Sequence, residues 1–161
     1  MPDNLVDWVL MGSSFHWADA PRAREEFRRI LKPGGFFTAI WNPRDIQRSK
    51  LHMQIEETIM EEIPGMKRVS SGSIITTDIM LEKLGSTFKD LVFMEAGHEE
   101  IMSKECYINI WRSVNDIQVQ AGEEGFRRIM YNIENILKDY KEIIVPYKNR
   151  AWTARVCDII S

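Results

Sequence analysis

The sequence predicts an α/β fold, and three observations predict it. Residues 5–11, Leu5-Val6-Asp7-Trp8-Val9-Leu10-Met11, are a nearly continuous apolar run ending in Gly12-Ser13-Ser14. That length and ending suit a buried parallel strand better than a helix. A helix marked at both ends follows, and after it a second apolar run at residues 36–41. Strand, helix and strand in that order make a βαβ unit, whose crossover is expected to be right-handed.

Each element has its own signal. Asp19 is a good N-cap for the first helix, and Pro21 falls in its first turn. Ala23, Phe27, Ile30 and Leu31 share one face, and Lys32-Pro33-Gly34-Gly35 is expected to stop the helix. Leu51, Ile55, Ile59 and Ile63 then recur at helical spacing until Pro64-Gly65. Thr77 or Asp78 would cap a short helix ending at Gly85. Residues 88–102 read as a long strand whose apolar part is Leu91, Val92, Phe93 and Met94. Ser103 would cap a helix carrying Tyr107, Ile110, Trp111 and Val114. The clearest helix covers 123–140, with Phe126, Ile129, Met130, Ile133, Ile136, Leu137 and Tyr140 as its core stripe. Residues 143–156 are strand-like, interrupted at Pro146. With no repeat or long linker, one α/β domain is expected to account for residues 1–161.

Composition excludes several function classes. A net charge of −3 gives no electrostatic reason to expect nucleic acid or an anionic membrane as partner. No apolar run approaches the roughly 20 residues of a membrane-spanning helix. Met1-Pro2-Asp3-Asn4 has neither the basic nor the apolar region of a signal peptide, so a cytoplasmic location is expected. Cys106 and Cys157 lie far apart with no His at ligand spacing. They read as reduced, partly buried thiols, and no metal site is expected.

Three segments carry a family resemblance: "PDNLVDWVLMGSSFHWAD" at 2–19, "EEFRRILKPGGFFTAIWNPRD" at 25–45, and "VPYKNRAWTARV" at 145–156. In this order they resemble the second half of the Rossmann-like class I S-adenosylmethionine-dependent methyltransferases, close to the small-molecule type 11 group. There a strand ends in an aromatic-His-Trp loop, a helix ends in "LKPGG", and the next strand ends in "WN-x-RD". The likeness is strong at both ends of the chain and weak over 47–136. It implies the family's sheet, of strand order 3-2-1-4-5-7-6 with the last strand antiparallel. This chain would supply family strands 4, 5, 6 and 7, beginning at Leu5, Phe36, Phe88 and Ile143. The expected fold is therefore a partial Rossmann-like sheet in the order 4-5-7-6, with flanking helices. The family's glycine-rich loop after strand 1, and its acidic residue after strand 2, have no counterpart here. The N-terminal cofactor-binding half is thus expected to be absent, and Gly34-Gly35 precede a strand and do not cradle a cofactor.

The resemblance implies methyl transfer from S-adenosylmethionine to a small organic acceptor, incomplete in this chain, which alone would bind the cofactor weakly or not at all. The alternative is a non-catalytic truncated remnant acting as an oligomeric or interaction module, with two copies pairing through residues 5–11. A nicotinamide dehydrogenase is disfavoured: Tyr107, Tyr131 and Tyr147 are followed four residues on by Trp111, Asn135 and Ala151, never by Lys.

In an open α/β sheet the ligand sits beyond the carboxyl ends of the strands. The loop after the first strand is therefore the candidate cofactor site, through Gly12, Ser14, Phe15 and Trp17. His16 is the candidate catalytic residue, orienting the acceptor or taking its proton, with a purely structural hydrogen bond as the competing role. Trp41, Asn42 and Arg44 are candidates for the acceptor pocket, although Arg44-Asp45 would also suit a surface ion pair. His52 and His98 are expected to be exposed and idle.

Overall fold

The computed structural model describes residues 1–68 and 72–157. Four strands, β1 (Val6–Gly12), β2 (Leu31–Trp41), β3 (Phe88–Ser103) and β4 (Glu142–Val156), form one sheet in the order β1-β2-β4-β3. β1 runs parallel to β2, with Trp8 opposite Phe36 and Met11 opposite Ala39. β4 is antiparallel to β2, from Phe36 opposite Arg155 to Trp41 opposite Arg150. This is the expected order 4-5-7-6. The described residues fall into two compact units, one from 1–43, 72–96 and 148–157, the other from 44–68 and 97–147. β3 and β4 each contribute to both.

In the first unit the pleat of β2 sorts its side chains by parity. Phe37, Ala39 and Trp41 turn into a core with Phe15, Leu31, Met80, Leu84, Phe88 and Trp152. α1 (Ala20–Ile30) adds Ala23 and Phe27 to it, and α3 (Thr77–Leu84) adds Met80 and Leu84. Each large side chain so buried contributes roughly 1.5–3 kcal/mol. On the opposite face Trp8 packs against Phe36 at 5.8 Å and donates its Nε1–H to Thr38 Oγ1 at 2.8 Å. Thr38 Oγ1 is also 2.8 Å from Thr153 Oγ1.

Three local expectations are corrected here. β1 is not a buried strand: Val6, Val9 and Met11 pack on the core, but Trp8 and Leu10 are 57% and 65% exposed. As the edge strand it is covered on one face only. Lys32-Pro33-Gly34-Gly35 does not stop α1. The chain is already extended at Leu31, which pairs with Val6, and the four residues form an irregularity inside β2 before Phe36 meets Trp8. Pro33 disfavours helix at Lys32, and a Cβ on Gly35 would come within 2.9 Å of the Lys32 carbonyl and 3.1 Å of the Asp7 carbonyl. The cap of α3 is Thr76, one residue earlier than expected, its hydroxyl accepting from the Ile79 N–H.

The second unit has a separate core. α2 (Lys50–Glu62), α4 (Lys104–Arg112) and α5 (Asn115–Ile136) enclose Ile55, Ile59, Tyr107, Trp111, Ile117, Ile129 and Ile133, with Ile143 and Val145 of β4. Ser49 and Ser103 cap α2 and α4 through their hydroxyls. α5 begins before the expected 123, because two helical stretches join across Gly122, whose φ of 68° and ψ of 177° break the helix. Tyr140 lies beyond its end and is 43% exposed, so it leaves the stripe that Ile129, Ile133 and Leu137 keep. Cys106 is exposed and only Cys157 partly covered. No described helix is long and apolar enough to cross a membrane.

Candidate functional site

In the first unit the loop after β1 is drawn tight against β2. Ser13 turns the chain at a φ of 46° and donates its N–H to the Ile40 carbonyl at 2.8 Å. A single helical turn, Phe15–Trp17, follows. Phe15 is fully buried, 4.9 Å from the Phe37 ring and 6.3 Å from Phe27, with the Lys83 ammonium 5.8 Å from its centroid. Its side chain therefore belongs to the core and anchors the loop. Gly12 is exposed, Ser14 partly so, and Trp17 is 66% exposed.

His16 sits between these extremes. The Trp41 indole donates its Nε1–H to His16 Nδ1 at 3.2 Å. That bond occupies the Nδ1 lone pair and selects the neutral tautomer with its hydrogen on Nε2. Nε2 is itself buried with no partner among the described residues. Burial first, and the Lys83 charge second, hold the His16 pKa below its ordinary value. His16 is thus arranged to donate from Nε2 and not to accept a proton. Trp41 is almost wholly buried, edge-on to Trp152 at 5.7 Å, so it supports His16 from within. Asn42 next to it is exposed. Nothing in the local sequence pointed to Lys83, which only the packing of α3 brings near.

The remaining candidate, Arg44, lies in the second unit. Its backbone bridges Tyr147, and the Asp45 N–H donates to the Pro146 carbonyl at 2.7 Å. The Arg44 guanidinium lies 4.1 Å from the centre of the Trp111 ring, and Asp45 is buried. Arg44-Asp45 is therefore no surface pair. His52, expected to be exposed, is 1% exposed. Its Nδ1 is 2.7 Å from Ser49 Oγ and its ring is edge-on to Tyr107 at 5.5 Å. Burial, and then the nearby Arg44 charge, push its pKa down to about 4. Burial raises the Tyr107 pKa, with Arg44 opposing. The spacing His52, Ile55, Ile59 is itself a helix face and was the available signal. His98 is partly covered, stacked on Tyr147 at 5.4 Å.

The methyltransferase-domain family matches residues 1–39. Uncharacterized methyltransferases of Mycobacterium bovis and Mycobacterium tuberculosis are 47% identical over 45 residues, which is 28% of this chain and 18% of theirs. One from Schizosaccharomyces pombe is 44% identical over the same length. The chain thus spans under a fifth of those relatives in alignment. Among solved structures, a protein assigned as a type II methyltransferase from Anaeromyxobacter dehalogenans superposes with a TM-score of 0.62 at 15% identity. That superposition covers 98% of this chain and 68% of the other, a likeness of fold. The matched segment holds β1, the loop to Trp17, α1 and most of β2. Residues 1–39 thus match a methyltransferase-domain family, and the chain shares the fold of that solved structure.

Proposed function

We propose that the chain takes part in methyl transfer from S-adenosylmethionine to a small organic acceptor. The observation that carries this reading is the 12–17 loop at the carboxyl end of β1, where His16 is held in one tautomer beside open positions at Gly12 and Trp17. Methyl transfer is an in-line displacement at a sulfonium, and much of its acceleration comes from alignment in a dry site. In this reading Gly12, Ser14 and Trp17 face the cofactor, and Trp17 offers a π-face to its cation. Phe15 fixes the loop. His16 orients an acceptor oxygen through Nε2–H, Trp41 holds His16, and Asn42 contacts the acceptor. Nucleic acid and membranes are not among the partners it requires.

The glycine-rich turn that the family uses for the cofactor is not among these 161 residues, so the chain alone is expected to bind S-adenosylmethionine weakly. Amide and indole spectra recorded during cofactor addition test the reading. Shifts confined to the 12–17 loop and its neighbours support it. No shift there at saturating cofactor would remove the loop from the site, and low-micromolar affinity by calorimetry would overturn the expectation of weak binding. A second reading, an interaction module, is favoured by one observation: the edge strand β1 presents Trp8 and Leu10 to solvent.

A further inference from the structure

Within the first unit the sheet is covered on one face and open on the other. Phe37, Ala39 and Trp41 of β2 turn into the core with side chains of α1 and α3. On the other face Trp8 lies against Phe36, and Leu10 is opposite Thr38. β4 extends that face, because Arg155 is opposite Phe36 and Thr153 is opposite Thr38. β3 extends it again. Arg155 binds Asp90 at 2.7 Å, which puts Asp90 on the open side, and alternation along the strand puts Val92 and Met94 there too. Their neighbours turn the other way, Leu91 onto the core and Phe93 against Trp152 at 4.7 Å. Trp8, Leu10, Phe36, Val92 and Met94 are 41–65% exposed.

The open face is prepared for burial. β1 and β2 are parallel, and parallel strands ordinarily have both faces covered. The central polar groups already have partners: Trp8 gives its Nε1–H to Thr38 Oγ1, which lies 2.8 Å from Thr153 Oγ1. Burying groups that are satisfied in this way leaves no unpaired donor behind. The charges beside the face are matched within the chain, Arg155 by Asp90 at 2.7 Å and Lys32 by Asp7 at 2.9 Å. A face without net charge meets a copy of itself without like-charge repulsion. Size points the same way. The five side chains offer roughly 500 Å² of apolar surface per copy, and a two-fold pair counts that area twice. About 1,000 Å² is the threshold of a specific interface. A surface spread over four strands is matched in breadth by another sheet, and sheets stack about 10 Å apart.

We propose that this face is the interface of a two-fold dimer, in which the sheets of two copies stack through Trp8, Leu10, Phe36, Val92 and Met94. It rests on the interaction-module reading and deepens it, with contact across the face in place of pairing along the β1 edge. The two arrangements separate at β3, which lies at the far edge of the sheet from β1. Sedimentation equilibrium of the full chain, from low to high micromolar concentration, should show monomer giving way to dimer and to no larger species. Met94→Lys should weaken the dimer at least tenfold with the circular dichroism spectrum unchanged, because it puts a charge into the apolar contact. Should Met94→Lys lose its fold, Val92→Thr keeps the shape and the strand, and should weaken the dimer several-fold. A dimer of unchanged strength in the variant that folds overturns the face and leaves the module reading standing, with the β1 edge as its contact. A wild-type chain that stays monomeric throughout leaves the face to a different partner and overturns both. Growth beyond the dimer overturns the two-fold arrangement. None of these outcomes touches the methyl-transfer reading, which requires no second copy.

Discussion

Protonating His52 costs the folded chain stability, because the folded state holds its pKa near 4 and the unfolded state near 6.5. Between those values the unfolded chain binds a proton that the folded chain refuses. The contribution is complete above pH 6.5 and is lost as pH falls toward 4, on the order of 2–3 kcal/mol across the window. Urea midpoints from pH 7 to pH 4 should fall accordingly, and His52→Gln should flatten the slope; an unchanged slope would show that His52 is not the group. His16 tests differently. Trp41→Phe removes only the donor to Nδ1, so the His16 ring nitrogens should change from one tautomer to a mixture in ¹⁵N spectra. Persistence of the single tautomer would mean that something other than Trp41 selects it. At this scale the sequence was read half correctly. The aromatic-His-Trp order put His16 at the loop, but whether an aromatic side chain points to a core or to a ligand depends on neighbours from distant elements. Phe15 is claimed by Phe27 and Phe37, and His52 by Tyr107, none of them local.

Helices and strands were legible where period and caps coincide. Asp19 and Ser103 both cap as their positions imply, and the Ile55-Ile59 and Ile129-Ile133 stripes are buried. Boundaries failed where backbone geometry overrides side-chain pattern. Gly122 allows α5 to restart in a conformation that other residues avoid, so the preceding turns joined it unseen. Gly122→Ala should cost roughly 1–3 kcal/mol, read as a lower thermal midpoint. The region is open, with no atom near the new methyl, so an unchanged midpoint would locate the cause elsewhere than in strain. Gly35→Ala fails for the other reason, since a methyl there meets two carbonyl oxygens. A loss of about 1–3 kcal/mol is expected, with the β1–β2 amides exchanging faster.

For the whole chain, the ordered motifs specified the sheet better than composition did, because strand order is a property of family connection and not of hydropathy. What they could not supply was cover: which face of β1 is packed follows from the helices present. Val9 packs on the core, so the surface available to a second copy is that of Trp8 and Leu10. Leu10→Lys should abolish any self-association seen by light scattering while preserving the circular dichroism spectrum. A wild-type chain that remains monomeric at high concentration would leave the edge unpaired and sink the module reading.

The hydroxyl pair beneath Trp8 has a sense of direction. Trp8 can only give a hydrogen to Thr38 Oγ1, so Thr38 is free to pass its own hydrogen to Thr153, and three strands become ordered as giver, relay and receiver. A valine at 38 has the same shape yet cannot receive or relay. The indole would then turn from the sheet toward water, and its emission would move to longer wavelength, so that one tryptophan reports whether neighbouring strands remain in register.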